Sequence, residues 1–262
     1  MKYNLRKLFV LTLFVIGCST ANAQTRDMSY TKSAAEYIFS WGNVDDPSSS
    51  VNGLNTKIDA DPIVRFSAFF NSLQQFHFDF SNAFGLYTGI GVRNVGFINE
   101  FKDSSATTPG SDGFRISDVK VKQRQYALGI PLALKLGSMS KNFYIAVGAE
   151  LELFFNYKQK VFYNDSKQKY SEWFSNKSNL LNPSFFAEVN FPKGQFIRFR
   201  YYLNDFLKEN SNGINVSSAN SKLLYDSSPS ELMYISIGTA IDWDIVFKKD
   251  SGKNNPLKAQ LD

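Results

Sequence analysis

From Phe143 to Lys158 the chain sorts itself by parity. Phe143, Ile145, Val147, Ala149, Leu151, Leu153, Phe155 and Tyr157 fall on one set of alternate positions. Tyr144, Ala146, Gly148, Glu150, Glu152, Phe154, Asn156 and Lys158 fall on the other. Successive side chains of a β-strand point to opposite faces of its sheet. The stretch therefore reads as a strand with one unbroken apolar face and one face of small, polar and charged groups. Residues 125–136, 233–247 and 76–93 divide in the same way, and shorter versions run over 35–42, 62–71, 183–191 and 195–204. That makes eight strands, and no stretch shows comparable helical periodicity.

The long segment 76–93 admits a turn at Asn82-Ala83, which would add a strand. Its alternation keeps phase through Asn82, which favours one strand projecting past its neighbours. The connections then alternate in length. Ser72–Gln75, Ser138–Lys141 and Pro192–Gly194 are short; residues 43–61, 99–118, 164–182 and 205–231 are long and rich in Ser, Asn, Asp and Lys. Short turns at one end and long loops at the other are the pattern of bacterial outer-membrane barrels, whose tilted strands cross the lipid in about 9–11 residues. The expected fold is all-β, an eight-stranded antiparallel up-and-down transmembrane β-barrel with both termini on the periplasmic side.

In such a barrel the apolar faces look outward and the mixed faces look inward. The inward face would carry Glu36, Arg65, His77, Asp79, Arg93, Lys135, Glu150, Glu152, Lys158, Glu188, Arg198, Arg200, Asp242 and Asp244. Six bases thus oppose seven acids, with His77 neutral. An eight-stranded barrel is just wide enough for side chains to fill, and unpaired buried charges are costly. The expectation is an ion-pair network that plugs the lumen; the rival is a narrow polar conduit or small-ligand site. Glu150 with Glu152 and Asp242 with Asp244 are spaced as paired carboxylates, which can hold a hard cation or exchange protons. Arg198 and Arg200 repeat that spacing, which suits a ladder of salt bridges instead. His77, the only histidine, shares a strand face with Asp79 and Ser81, yet a catalytic triad must converge in space. Nucleotide-binding glycine loops, metal-ligand spacings and nucleophile elbows are absent from the sequence. No catalytic, cofactor-binding or metal residue is assigned. Trp41, Tyr126, Tyr157 and Tyr201 are expected at the outer aromatic girdle, and Phe70, Phe76, Phe143, Phe191 and Phe247 at the inner one.

The first residues set the compartment. A basic start, a short apolar run from Leu8 to Gly17 and a small-x-small site at Ala21 and Ala23 read as a secretory signal peptide, residues 1–23, cut before Gln24. Val15-Ile16-Gly17-Cys18 offers a rival, lipoprotein-type cut that would leave Cys18 lipidated. Removing residues 1–23 takes away Lys2, Arg6 and Lys7 and leaves 26 bases against 24 acids, so the precursor's net charge of +5 falls to +2. The basic balance is therefore not a nucleic-acid signature. Cleavage at Gln24 also removes the only cysteine, which excludes disulfides and thiol chemistry. The barrel would occupy residues 24–247, followed by a charged, flexible periplasmic tail at 248–262.

In the last strand, Ser236, Gly238, Ile241 and Trp243 resemble the C-terminal signal read by the barrel assembly machinery. Phe84-Gly85-Leu86-Tyr87-Thr88-Gly89-Ile90-Gly91, Tyr126 to Lys135 with its Ile130-Pro131 step, and Asn142 to Gly148 resemble the PorT-like outer-membrane β-barrel domain family common in Bacteroidota. The resemblance covers roughly residues 62–247 and rests on structural motifs. It implies the fold and the bacterial outer membrane. Some relatives serve protein secretion, and most have no assigned role. Expected partners are outer-membrane lipids, the assembly machinery during biogenesis and an unidentified envelope protein. The functional expectation is a structural or interaction role at the envelope, with a narrow conduit as the alternative and a lipid-modifying enzyme behind it.

Overall fold

A computed structural model describes residues 29–44, 48–51, 54–57, 59–102, 119–163, 166–208, 214–215, 221–224 and 230–242. The predicted leader with Cys18, and Trp243, Asp244, Phe247 and the tail 248–262, lie outside the described residues. Eight strands form a ring: β1 (Ser29–Val44), β2 (Ser72–Asp79), β3 (Phe84–Lys102), β4 (Val119–Ser138), β5 (Phe143–Tyr163), β6 (Leu181–Asn190), β7 (Gln195–Tyr202) and β8 (Ser230–Asp242). Each pairs antiparallel with the next. β8 returns to β1, from Lys32↔Asp242 to Val44↔Ser230, and leaves no open edge there. The fold is an all-β, up-and-down, eight-stranded barrel, as alternation and connection lengths predict.

Period-two burial runs round the ring. On β4 the odd positions Ala127, Pro131, Ala133 and Lys135 are buried, whereas Ile130, Leu132 and Leu134 stand 61%, 62% and 50% exposed. The apolar residues thus form the outside of the barrel and the charged ones its filling. β3, β4 and β5 are 19, 20 and 21 residues long, roughly 65 Å at 3.3 Å per residue. They run well beyond β6 and β7 at the long-loop end. There Ser166–Trp173 adds to β5, and Asp59–Ile63 adds to β3.

The strand borders near residue 80 differ from the sequence expectation. Ser72–Gln75 is not a turn: it lies inside β2, paired with both β1 and β3. The turn is Phe80–Ala83, where the Ser81 hydroxyl accepts from the amides of Ala83 and Phe84. Asn82 locks this turn to the next one, its side chain accepting from the Ser140 amide at 2.7 Å and its carbonyl from Met139. Four turn residues are an even number, so Asp79 and Gly85 both point inward and parity passes through unbroken. An in-phase pattern cannot reveal such a turn. The strand count stays at eight because residues 59–79 together build the second wall.

That second wall is interrupted. Ser67 pairs with Ile38 and Ser72 with Ala35, so two extra residues bulge from the ladder. Phe69 and Phe70 swing outward, 77% and 67% exposed, with Phe70 at φ 63°. Asn71 mends the gap: its carbonyl accepts from the Glu36 amide and its side chain from the Asn94 amide. The bulge carries Phe70 to the long-loop side, edge-on to Tyr126 at 5.6 Å, rather than to the inner girdle expected for it.

A second bulge corrects the phase of β5. Tyr126 pairs with Asn156 and Ala127 with Phe154, which leaves Phe155 unmatched. Beyond it parity inverts: Tyr157, Gln159 and Val161 are buried, and Lys158 and Lys160 face outward. Tyr157 is therefore not a girdle residue and Lys158 is not a lumen residue. Cysteine placed at 158, with Cys18 replaced by serine, is expected to react readily with a water-soluble maleimide. Tyr157→Cys should react at least roughly tenfold more slowly, because a buried thiol is inert. Equal rates would show that the bulge does not invert the faces.

Candidate functional site, a charged and sealed lumen

The inward face places long charged side chains opposite small residues, and the two fit together. Arg93 on β3 donates through Nε to Glu36 on β1 at 2.7 Å and through Nη1 to Glu150 and, at 3.1 Å, Glu152 on β5. Arg198 on β7 reaches Glu36 at 3.0 Å and Glu188 on β6 at 2.7 Å. Arg200 reaches Glu152 at 3.0 Å and Glu150. Hydroxyls fill remaining acceptor positions: Ser236 donates to Glu36 and Tyr202 to Glu152, each at 2.6 Å. The ion pairs alone tie five strands across one bore, and none of these ionic side chains exceeds 4% exposure. Gly129 makes room for them. A Cβ there would stand 2.0 Å from Glu150 Oε1 and 3.1 Å from Arg93 Nη1.

Nearer the short turns a second cluster surrounds Lys135, which pairs with Asp79 and donates to Tyr30 at 3.2 Å and to His77 Nδ1 at 3.0 Å. An ammonium only donates, so His77 Nδ1 accepts and its Nε2–H donates to Gln75 Oε1 at 3.1 Å. The ring also stacks on Tyr30 at 4.8 Å. Ser81, held by the turn amides, makes no triad with it. Lys32, which the sequence reading left outside its first strand, is 1% exposed here. It donates to Asn142 at 2.6 Å and lies over the rings of Tyr30 and Tyr144. The unbroken even parity of Tyr30, Lys32, Ala34 and Glu36 was the signal that could have found it. Among the described residues, with Arg65 standing apart, these two clusters thus hold five of the six buried bases, Lys32, Arg93, Lys135, Arg198 and Arg200. They face five acids, Glu36, Asp79, Glu150, Glu152 and Glu188.

The remaining expected members lie elsewhere. Arg65 is buried but joins no carboxylate; its guanidinium donates to the Asn94 carbonyl at 3.0 Å and side chain at 2.6 Å, filling the gap left by the β2 bulge. Asp242 sits half-buried at the short-turn rim. Asp244 is outside the described residues. In the last-strand motif, Ser236 is a lumen hydroxyl and Gly238 admits the Phe196 ring, which a Cβ would meet at 2.3 Å; Ile241 is 44% exposed.

Above the ionic layer the lumen turns apolar, which the sequence reading missed. Val95, Phe97, Phe101, Val119, Val121, Phe154 and Val161 converge inside the extended strands. Phe206 and Leu207, from the connection after β7, drop onto them, with the Phe206 ring 5.1 Å from Phe97 and 5.7 Å from Phe154. Phe206-Leu207, directly after the polar Asn204-Asp205, was its sequence sign. Among the described residues no three His, Cys, Asp or Glu side chains are grouped to hold a metal ion.

No known protein family and no curated protein matches this sequence. Among solved structures the chain is similar to Neisserial surface protein A, at 10% identity and a TM-score of 0.33, covering 80% of this chain and 96% of that one. It is similar to the outer membrane protein OprG from Pseudomonas aeruginosa, at 12% identity and a TM-score of 0.41, covering 81% and 95%. It is also similar to Ail, the attachment invasion locus protein of Yersinia pestis, at 12% identity and a TM-score of 0.32, covering 82% and 100%.

Proposed function

We propose that the chain is an exported integral barrel of the bacterial outer membrane whose lumen is closed and whose work is done at its surface. One observation carries this reading: the barrel is apolar outside and charged inside. No charged side chain lies on the outward face from Tyr126 to Leu136, Phe143 to Phe155, Ile197 to Tyr201 or Met233 to Ile241. Tyr126 to Leu136 spans about 33 Å of strand, which at a tilt near 45° matches an apolar band of about 25 Å. A barrel folded in water would expose all of that surface, far beyond the few hundred Å² of apolar patch usual on soluble proteins.

The lumen supports a role other than transport. Two charged clusters and an apolar layer succeed one another along the bore, and the side chains that fill it are buried against one another. The extended strands and long connections at the opposite end from the termini are then the contact surfaces, in an interaction role at the envelope. An accessory of secretion machinery is the form of that role consistent with the PorT-like resemblance.

Membrane placement is tested by Leu151→Arg. Leu151 faces outward, 50% exposed, and a charge there should destabilise the barrel by about 2–4 kcal/mol in lipid vesicles. An unchanged unfolding midpoint would contradict a lipid-facing wall. Closure is tested in planar bilayers, where the wild-type chain is expected to show no stable open state. Long-lived, ion-selective openings would replace this reading with a conduit.

A further inference from the structure

Just above the apolar belt the outward face changes abruptly. Across β4 and β5, Lys122 stands opposite Lys160 and Arg124 opposite Lys158; Lys160 in turn stands opposite Lys169 on the added strand Ser166–Trp173. Like charges directly opposite each other in a sheet are destabilising. None of Lys122, Arg124, Lys158 and Lys160 makes an ion pair among the described residues, and neither does the buried Arg65 beside them. Burial and the like charges of Lys167, Arg124, Lys169 and Lys122 hold the Lys160 amine below its ordinary pKa. The fold pays for this crowding, with no compensating carboxylate on Lys122, Arg124, Lys158 or Lys160 among the described residues.

These five cations line one cavity of about 380 Å³ together with Phe66, Phe69 and Ile98, and no carboxylate lines it. Tyr126, the uppermost outward residue of the apolar belt on β4, lies two positions from Arg124 on the same face. Arg124 and Lys158 lie over the Tyr126 ring at 5.8 and 5.0 Å. Tyr126 belongs to an aromatic row running from Phe70 through Phe155 to Trp173. A basic cavity with an aromatic, lipid-facing sill matches an amphiphile with phosphates at one end and acyl chains at the other. A soluble anion would use the cations and leave the sill without purpose.

We propose that Arg65, Lys122, Arg124, Lys158 and Lys160 bind the phosphate groups of a phosphorylated glycolipid in the outer leaflet, whose acyl chains pack down the wall below Tyr126. This rests on the membrane reading above, because only there does the cavity lie at headgroup height. Cations near an anionic surface attract it strongly enough for several together to fix a lipid.

The test uses the full chain, purified in zwitterionic detergent, and follows bound diphosphoryl lipid A by native mass spectrometry. The comparison is the variant K122Q/R124Q/K158Q/K160Q. Wild type is expected to retain the lipid and the variant to bind it at least about tenfold more weakly. The variant should also unfold at an equal or higher temperature, since its like charges are gone. Inorganic phosphate at matched concentration should not displace the lipid. Equal lipid binding by the variant, or displacement by inorganic phosphate, would overturn the proposal. Insertion of both proteins into plain phosphatidylcholine vesicles, scored by protease protection, tests the membrane reading separately.

Discussion

Three arginines and four glutamates decide this structure. Arg93, Arg198 and Arg200 come from β3 and β7, and their partners Glu36, Glu150, Glu152 and Glu188 come from β1, β5 and β6. Backbone pairing joins each strand only to its neighbours. Except for Arg198 with Glu188 on the adjoining strand, these contacts reach past the neighbouring strand, between residues up to 162 apart in sequence. A buried charge left alone is costly, so the network is satisfied only when the five walls stand in one register. A slip of one residue on any wall would turn its charges toward the outside and its leucines into the lumen. Gly129 and Gly238 belong to the same constraint, as the places where a side chain would occupy the space of a charge or a ring.

Much of this was legible in the sequence because a barrel strand writes both of its environments along one line. Parity separated Glu150 and Glu152 from Leu151 and Leu153, and balanced signs on the inward set implied pairing. What parity could not carry was anything that preserves or resets it silently. The turn at Phe80–Ala83 contains an even number of residues and so hides inside an unbroken pattern. The unmatched Phe155 does the reverse: it swaps the faces of Tyr157 and Lys158 with no irregularity in residue type. Arg65 shows a different limit. Its position on an inward face is visible in sequence, but its hydrogen bonds to Asn94 depend on a bulge two residues deep, at Phe69 and Phe70.

The two sets of charge in this molecule behave in opposite ways, and the contrast is informative. Inside, Arg93, Arg198 and Arg200 are each matched by carboxylates, and Arg65 alone of the buried arginines among the described residues bonds to an amide instead. Outside, above Tyr126, Lys122 opposes Lys160 and Arg124 opposes Lys158, and none of the four makes an ion pair among the described residues, while Lys120 one step higher pairs with Glu100 at 3.8 Å. The first arrangement is explained by folding alone. The second weakens the sheet that carries it, so its explanation lies in something the surface meets. The apolar layer around Phe206 and Leu207 lies on the inner face of the same extended strands that carry the basic face outward.

The central claim is that cross-bore pairing, more than the apolar wall, fixes this barrel. Urea unfolding of the Arg198→Met/Arg200→Met variant in lipid vesicles, followed by tryptophan fluorescence against wild type, tests it most directly. Methionine keeps most of the volume while stranding Glu188 and weakening the hold on Glu36, Glu150 and Glu152. The account predicts a loss of at least about 3–5 kcal/mol, the cost of leaving a buried charge without its partner. An unfolding midpoint equal to that of the wild type would contradict it.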